Sequence, residues 1–86
     1  MDEEHKEFSM LVLQAVYRNP SGWHEVRKTK LDIEGQNVRL DHYAHDNGFN
    51  LFGALKSLEN KGLIEQRQNG KYRITLEGQM ELGGLL

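Results

Sequence analysis

Between Glu4 and Arg18, Phe8, Leu11, Val12, Ala15 and Val16 recur at helical spacing, with Glu4, Lys6, Glu7 and Gln14 as polar positions. This pattern predicts an amphipathic first helix. Asp2, Glu3 and Glu4 suit its positive end and Arg18 its negative end. Asn19-Pro20-Ser21-Gly22 then stops it, because proline cannot continue the hydrogen-bond ladder. Met10, Leu13 and Tyr17 widen the apolar surface to most of the circumference, so the helix is expected either at the centre of the fold or against a partner chain. In residues 23–37, Leu31-Asp32-Ile33 alternates like a short strand and Glu34-Gly35-Gln36-Asn37 reads as a turn. A loop plus one short strand is expected there. A second short helix over 23–30 is the competing reading.

Val38 to His45 predicts another short helix, with Leu40, Tyr43 and Ala44 for its buried side. Asp46-Asn47-Gly48 breaks it, and Asn47 is the expected N-cap of the next. Leu51, Leu55 and Leu58 stand at i, i+4 and i+7 of that next helix, with Ala54 on their flank and Gly62 as its C-cap glycine after Lys61. Two extended runs follow, 63–68 and 71–75, separated by Asn69-Gly70. Asn-Gly favours a two-residue type I′ turn, in which both residues need positive φ. Such a turn pairs Gln68 with Lys71, Arg67 with Tyr72, Gln66 with Arg73 and Glu65 with Ile74. Tyr72, Ile74 and Leu76 then share the core face with Leu63, leaving Gln66, Gln68, Lys71 and Arg73 outside. Thr75 is the expected cap of a last helix over roughly 76–82, ended by Gly83-Gly84.

Composition narrows the function classes. Eighty-six residues make one domain, 1–86, and 37% hydrophobic with 28% charged residues suits a globular chain. No cysteine is present, so disulfides and thiolate metal sites are excluded. The longest apolar run, Met10 to Leu13, is far below the roughly 20 residues of a membrane span. Met1-Asp2-Glu3-Glu4 is acidic where a secretory signal would be basic, so a cytoplasmic setting is expected. Net charge is −2, unevenly spread. Residues 18–73 carry ten Lys and Arg against seven Asp and Glu, while both ends are acidic. His42 and His45 could share one helix face, but two ligands are too few and no metal is expected. Trp23 is read as covering the core rather than lining an effector pocket. There is no Walker loop, no nucleotide-binding glycine fingerprint, no HExxH and no nucleophile motif, so no enzyme and no cofactor are expected.

The predicted order is α+β and mainly helical: two helices across a short turn, then a hairpin and a short helix. Leu55-x-x-Leu58-Glu59-x-x-Gly62-Leu63-Ile64, followed by Gly70-x-Tyr72-x-Ile74-Thr75-x-x-Gly78, resembles the recognition-helix-to-wing segment of MarR- and PadR-like transcriptional regulators. The resemblance covers roughly residues 38–82. It implies a winged helix-turn-helix: a three-helix core, a helix-turn-helix over about 38–61, a two-stranded wing over about 63–75 and a short terminal helix. It further implies that residues 47–61 form a recognition helix in the major groove of double-stranded DNA, with the wing tip on the phosphate backbone.

A helical wheel adds candidates without reference to any family. With Leu51 at 0°, Leu55 and Leu58 fall within about 40° at ~100° per residue. Asn50, Gly53, Lys56, Ser57 and Asn60 then occupy the opposite side. Asn and Lys can bond base edges, Ser bases or phosphates, and Gly53 permits close approach. Lys71 and Arg73 are the expected phosphate contacts on the wing, with Lys61 and Arg67 behind them. Arg27, Lys28 and Lys30 form a second basic cluster of no clear direction. With one lysine on the reading face, a homodimer on a near-palindromic site is expected, and the broadly apolar first helix fits it. Phe49 falls on the polar face of the wheel unless it folds back, and Phe52 lies at the edge of the core stripe. The rival reading, supported by the net negative charge, the sparse basic reading face and Phe49 and Phe52, is a winged helix used as a protein-interaction module within a larger assembly, without DNA binding. It takes over if both rings are exposed and no duplex binds at low salt.

Overall fold

A computed structural model describes residues 3–83 of the chain, without the side chain of Glu3. Asp2, expected at the positive end of the first helix, and Gly84, expected to end the last, lie outside the described residues. The order is α1 (Glu3–Arg18), α2 (Trp23–Lys28), β1 (Lys30–Ile33), β2 (Gln36–Arg39), α3 (Leu40–Asp46), α4 (Leu51–Asn60), β3 (Ile64–Gln66), β4 (Tyr72–Ile74) and α5 (Leu76–Gly83). The fold is α+β and mainly helical, with two separate two-stranded antiparallel sheets, β1–β2 and β3–β4. None of the helices described is long and apolar enough to cross a membrane.

α1 is the hub. Phe8, Val12, Leu13, Ala15 and Val16 are all buried, and the helix packs against α2, α3, α4, α5, β1 and β4. Most of its wide apolar surface is thus buried inside the chain, but Tyr17 stays 59% exposed. Leu51, Leu55 and Leu58 of α4 face it, as the i, i+4, i+7 spacing required. A fully buried leucine stabilises by about 1.5–3 kcal/mol, so this stripe fixes the roll of α4 on α1. Phe49 does fold back: its ring stacks on Phe8 at 4.7 Å and lies 6.1 Å from Tyr43.

Residues 23–37 contain both rival elements, since α2 takes Trp23–Lys28 and β1 follows at Lys30. β1 then turns through Glu34 (φ 53) and Gly35 (φ 82) into β2, which claims Val38 and Arg39 from the expected helix. α3 therefore begins at Leu40. The N-cap of α4 is Asn50, whose Oδ1 accepts from the Gly53 N–H at 3.0 Å. Asn47 instead closes α3 as its C-cap.

The second hairpin departs from the expected register by one residue. Ile64 pairs with Ile74, Glu65 with Arg73 and Gln66 with Tyr72. Three residues, Gln68–Gly70, make the turn, closed by Arg67 N–H donating to the Lys71 carbonyl at 2.6 Å. The two-residue turn would put Ile64 on the outer face beside Lys71 and Arg73. The observed register buries both Ile64 and Tyr72. Because side chains alternate, a one-residue slip exchanges the two faces of one strand against the other, and the buried pair decides. Leu63 is only half-buried, and Leu76 is not on the core face at all, being 68% exposed.

The base of this hairpin is locked to α5. Thr75 caps α5 by accepting from the Gly78 N–H at 3.0 Å, and its hydroxyl donates to the Gly62 carbonyl at 2.7 Å. The Thr75 N–H donates to the Leu63 carbonyl at 3.0 Å. Gly78 lies so close to that strand that a Cβ would sit 2.1 Å from the Leu63 oxygen. Gly62, Leu63, Thr75 and Gly78 are thereby one joint.

Candidate nucleic-acid interface

α3 and α4 are joined by a short turn, held by the Phe49 N–H donating to the Ala44 carbonyl at 2.8 Å. α4 presents an outer ridge of Phe52, Lys56 and Asn60, all exposed and spaced four residues apart. Asn50, Gly53 and Ser57 fall on a flank instead, lining a groove against His5, Phe8 and Ser9 of α1. The expected reading face is thus divided. Asn50 uses its carbonyl oxygen on the helix cap. Gly53 has a local reason to be small, since a Cβ there would lie 3.2 Å from the Asn50 side chain.

On the hairpin, the observed register sets Glu65, Arg67, Lys71 and Arg73 on one face, away from Ile64 and Tyr72. Arg67 moves from a supporting position to this cationic face, which the sequence reading missed. The signal was present in Ile64, but Leu63 beside it offered an equal apolar anchor in the other register. Arg73 forms an ion pair with Glu65, so its charge is partly neutralised. Arg67 and Lys71 line an open groove with Glu59 of α4 and Glu65. The carboxylates keep that groove from being uniformly positive. Lys61 is elsewhere, at the C-cap of α4, in a groove with Lys6 and Glu81.

Trp23, at the start of α2, bridges the two parts. Its ring lies 6.4 Å from Phe52 in an edge contact and 6.4 Å from Tyr72. Phe52 itself is 56% exposed. Burial first, and the neighbouring Glu59 charge second, push the Tyr72 phenol above its ordinary pKa, so it is neutral at physiological pH.

The second basic cluster separates. Arg27 turns inward, with Nε 3.9 Å from Asp41, while Lys28 and Lys30 join Arg18 and His24 along a groove at the ends of α1 and α2. Burial works to raise the pKa of Asp41. Hydrogen bonds from the Arg39 guanidinium and the His42 N–H, with the charges of both residues, outweigh it and leave the carboxyl below its ordinary value. Asp41 therefore acts as a clamp between α2, β2 and α3. Among the described residues no group of three or more His, Asp or Glu could hold a metal ion. Comparison with protein-family models, with curated proteins and with solved structures finds no match for this chain.

Proposed function

We propose that the chain is a winged helix-turn-helix domain that binds double-stranded DNA as a small transcriptional regulator. The observation that carries this reading is that α4 adjoins the cationic side of the β3–β4 hairpin, Glu59 of α4 lining one groove with Arg67 and Lys71. α4 follows α3 across a short turn and is the recognition helix in this reading, with Lys56 and Asn60 at base edges in the major groove. Arg67 and Lys71 grip phosphate from the wing, with Arg73 contributing less because of Glu65. A homodimer on a near-palindromic site belongs to this proposal. The apolar surface open to it includes Leu76 and Met80, one turn apart on α5 and 68% and 67% exposed, and Tyr17 of α1, 59% exposed.

An NMR titration of labelled protein with a mixed-sequence duplex, at low and moderate salt, tests it. Shifts at Lys56, Asn60, Arg67 and Lys71 that fade as salt rises are expected, because phosphate contacts release counterions. No movement at low salt sinks the reading. A second reading is favoured by the exposed ring of Phe52 and by Glu59 and Glu65 within the cationic face: a winged helix that binds another protein through that same surface. Loss of the DNA response would turn the search towards such a partner.

A further inference from the structure

We infer that Phe52 is a specificity-determining residue that reads the 5-methyl group of thymine. The inference rests on the DNA-binding reading of α4. Phe52 stands in the first turn of α4, and the N-terminal turns of a recognition helix are the part that meets base edges. It shares the outer ridge with Lys56 and Asn60, so a duplex that meets those two polar side chains also meets the ring. A phenyl ring can neither donate nor accept a conventional hydrogen bond. Among the groups that a major groove displays, the apolar one is the thymine methyl.

The ring is also held rather than free. Its neighbour Trp23 makes an edge contact at 87° and is itself set against buried Tyr72, so an aromatic row runs from the wing to the exposed ring. A supported ring loses little freedom when it meets a ligand, which favours a fixed contact point. The setting suits a polyanion: Lys56 lies one turn along the same ridge, and Arg67 and Lys71 stand on the wing face. An apolar contact on a protein partner is the competing use of this ring, and the test below separates the two.

A duplex recovered by selection from a randomised library is prepared twice, once with thymine and once with deoxyuridine at every thymine position. The two differ only by the methyl groups. Wild-type protein is expected to bind the deoxyuridine duplex roughly fourfold more weakly for each contacted thymine, the worth of burying one methyl. Phe52→Ala should bind both duplexes equally, and Phe52→Leu, which keeps an apolar side chain, should retain part of the preference. Equal binding of the two duplexes by wild type overturns the thymine inference while DNA binding stands. So does an undiminished deoxyuridine penalty in Phe52→Ala, since another group would then read the methyl. If no duplex is recovered and none binds at low salt, the DNA reading itself falls, and this inference with it.

Discussion

The β1–β2 hairpin turns through two residues, Glu34 and Gly35, whereas the β3–β4 hairpin takes three, Gln68 to Gly70. Yet the second hairpin holds Asn-Gly, the pair better suited to the tighter turn. The difference lies in what each register must bury. In the first hairpin the two-residue turn already points Leu31 into the core, so turn and core agree. In the second, the two-residue turn would carry Ile64 outward while Tyr72 stays inside. Burying an isoleucine stabilises by about 1.5–3 kcal/mol, comparable to or above the roughly 1–2 kcal/mol at stake in a left-handed residue. Little is even lost at the turn, because Asn69 (φ 63) and Gly70 (φ 73) keep positive φ in the wider loop. Where turn chemistry and a buried face disagree, the face sets the register. Here that choice also puts Arg67 on the cationic surface.

The two hairpins should respond very differently to an added methyl group. Gly78→Ala at the base of the β3–β4 hairpin places a Cβ 2.1 Å from the Leu63 oxygen and 2.6 Å from Ile74, so backbone must shift. A loss of about 3 kcal/mol is expected, read as a lower denaturant midpoint. Gly35→Ala at the tip of the first hairpin meets nothing within 4 Å and pays only for its positive φ, about 1 kcal/mol. Equal losses would refute the claim that the β3–β4 hairpin is braced by α5. Thr75→Ala comes between these, at about 1.5 kcal/mol, because it removes both the α5 cap and the hydroxyl bond to Gly62. Thr75→Ser keeps both bonds and should recover most of the loss.

These joints explain how much the sequence made legible. The i, i+4, i+7 leucines of α4 and the Thr75 cap follow from local spacing, and the structure has them; of the two places that spacing left open to α1, it takes the centre of the fold. The β1–β2 pairing was missed, because strands of four residues carry too little alternation and Val38-Arg39 read equally well into the following helix. The register of the second hairpin was missed because Leu63 and Ile64 are interchangeable by hydropathy, and only the packing of the folded chain, which buries Ile64 and leaves Leu63 half-buried, separates them. The candidate site was legible in part. Lys56, Asn60 and Lys71 lie where the wheel and the hairpin put them, but Asn50 caps a helix and Arg73 is paired. Such neighbours belong to other elements, which no single-helix wheel includes.

Acid should act more on the first hairpin than on the second. Asp41 ties Arg39, at the end of β2, to the start of α3 by contacts of 2.7 and 3.1 Å. Its pKa is lower folded than unfolded, so its contribution is complete above the ordinary carboxylate range and is lost as pH falls through the lowered folded value. Asp41→Asn should therefore cost stability at neutral pH, by under about 1 kcal/mol for a partly exposed pair, and the cost should shrink towards zero in acid. A thermal-melting series against pH measures this. An unchanged gap between the two proteins at low pH would show that the carboxylate charge is not what holds β2 to α3.

The smallest effect is expected from the change that looks most severe, deletion of Gln68. Arg67 and Lys71 already face each other across the loop, with Gln68, Asn69 and Gly70 between them. Removing Gln68 leaves Asn69-Gly70 as a two-residue turn closed by that same pair. The Ile64–Ile74 register need not change, and both turn residues already have positive φ. Stability should stay within about 1 kcal/mol of wild type, with cross-strand contacts between Ile64 and Ile74 retained by NMR. If the strands slip instead, Ile64 becomes exposed and about 2 kcal/mol is lost, the worth of its burial. That outcome would mean that a three-residue loop sets the register of the second hairpin. Retention would mean that the Asn69-Gly70 turn and the buried Ile64 and Tyr72 agree once the loop holds two residues, and that the third turn residue is what the full-length chain uses to reconcile them.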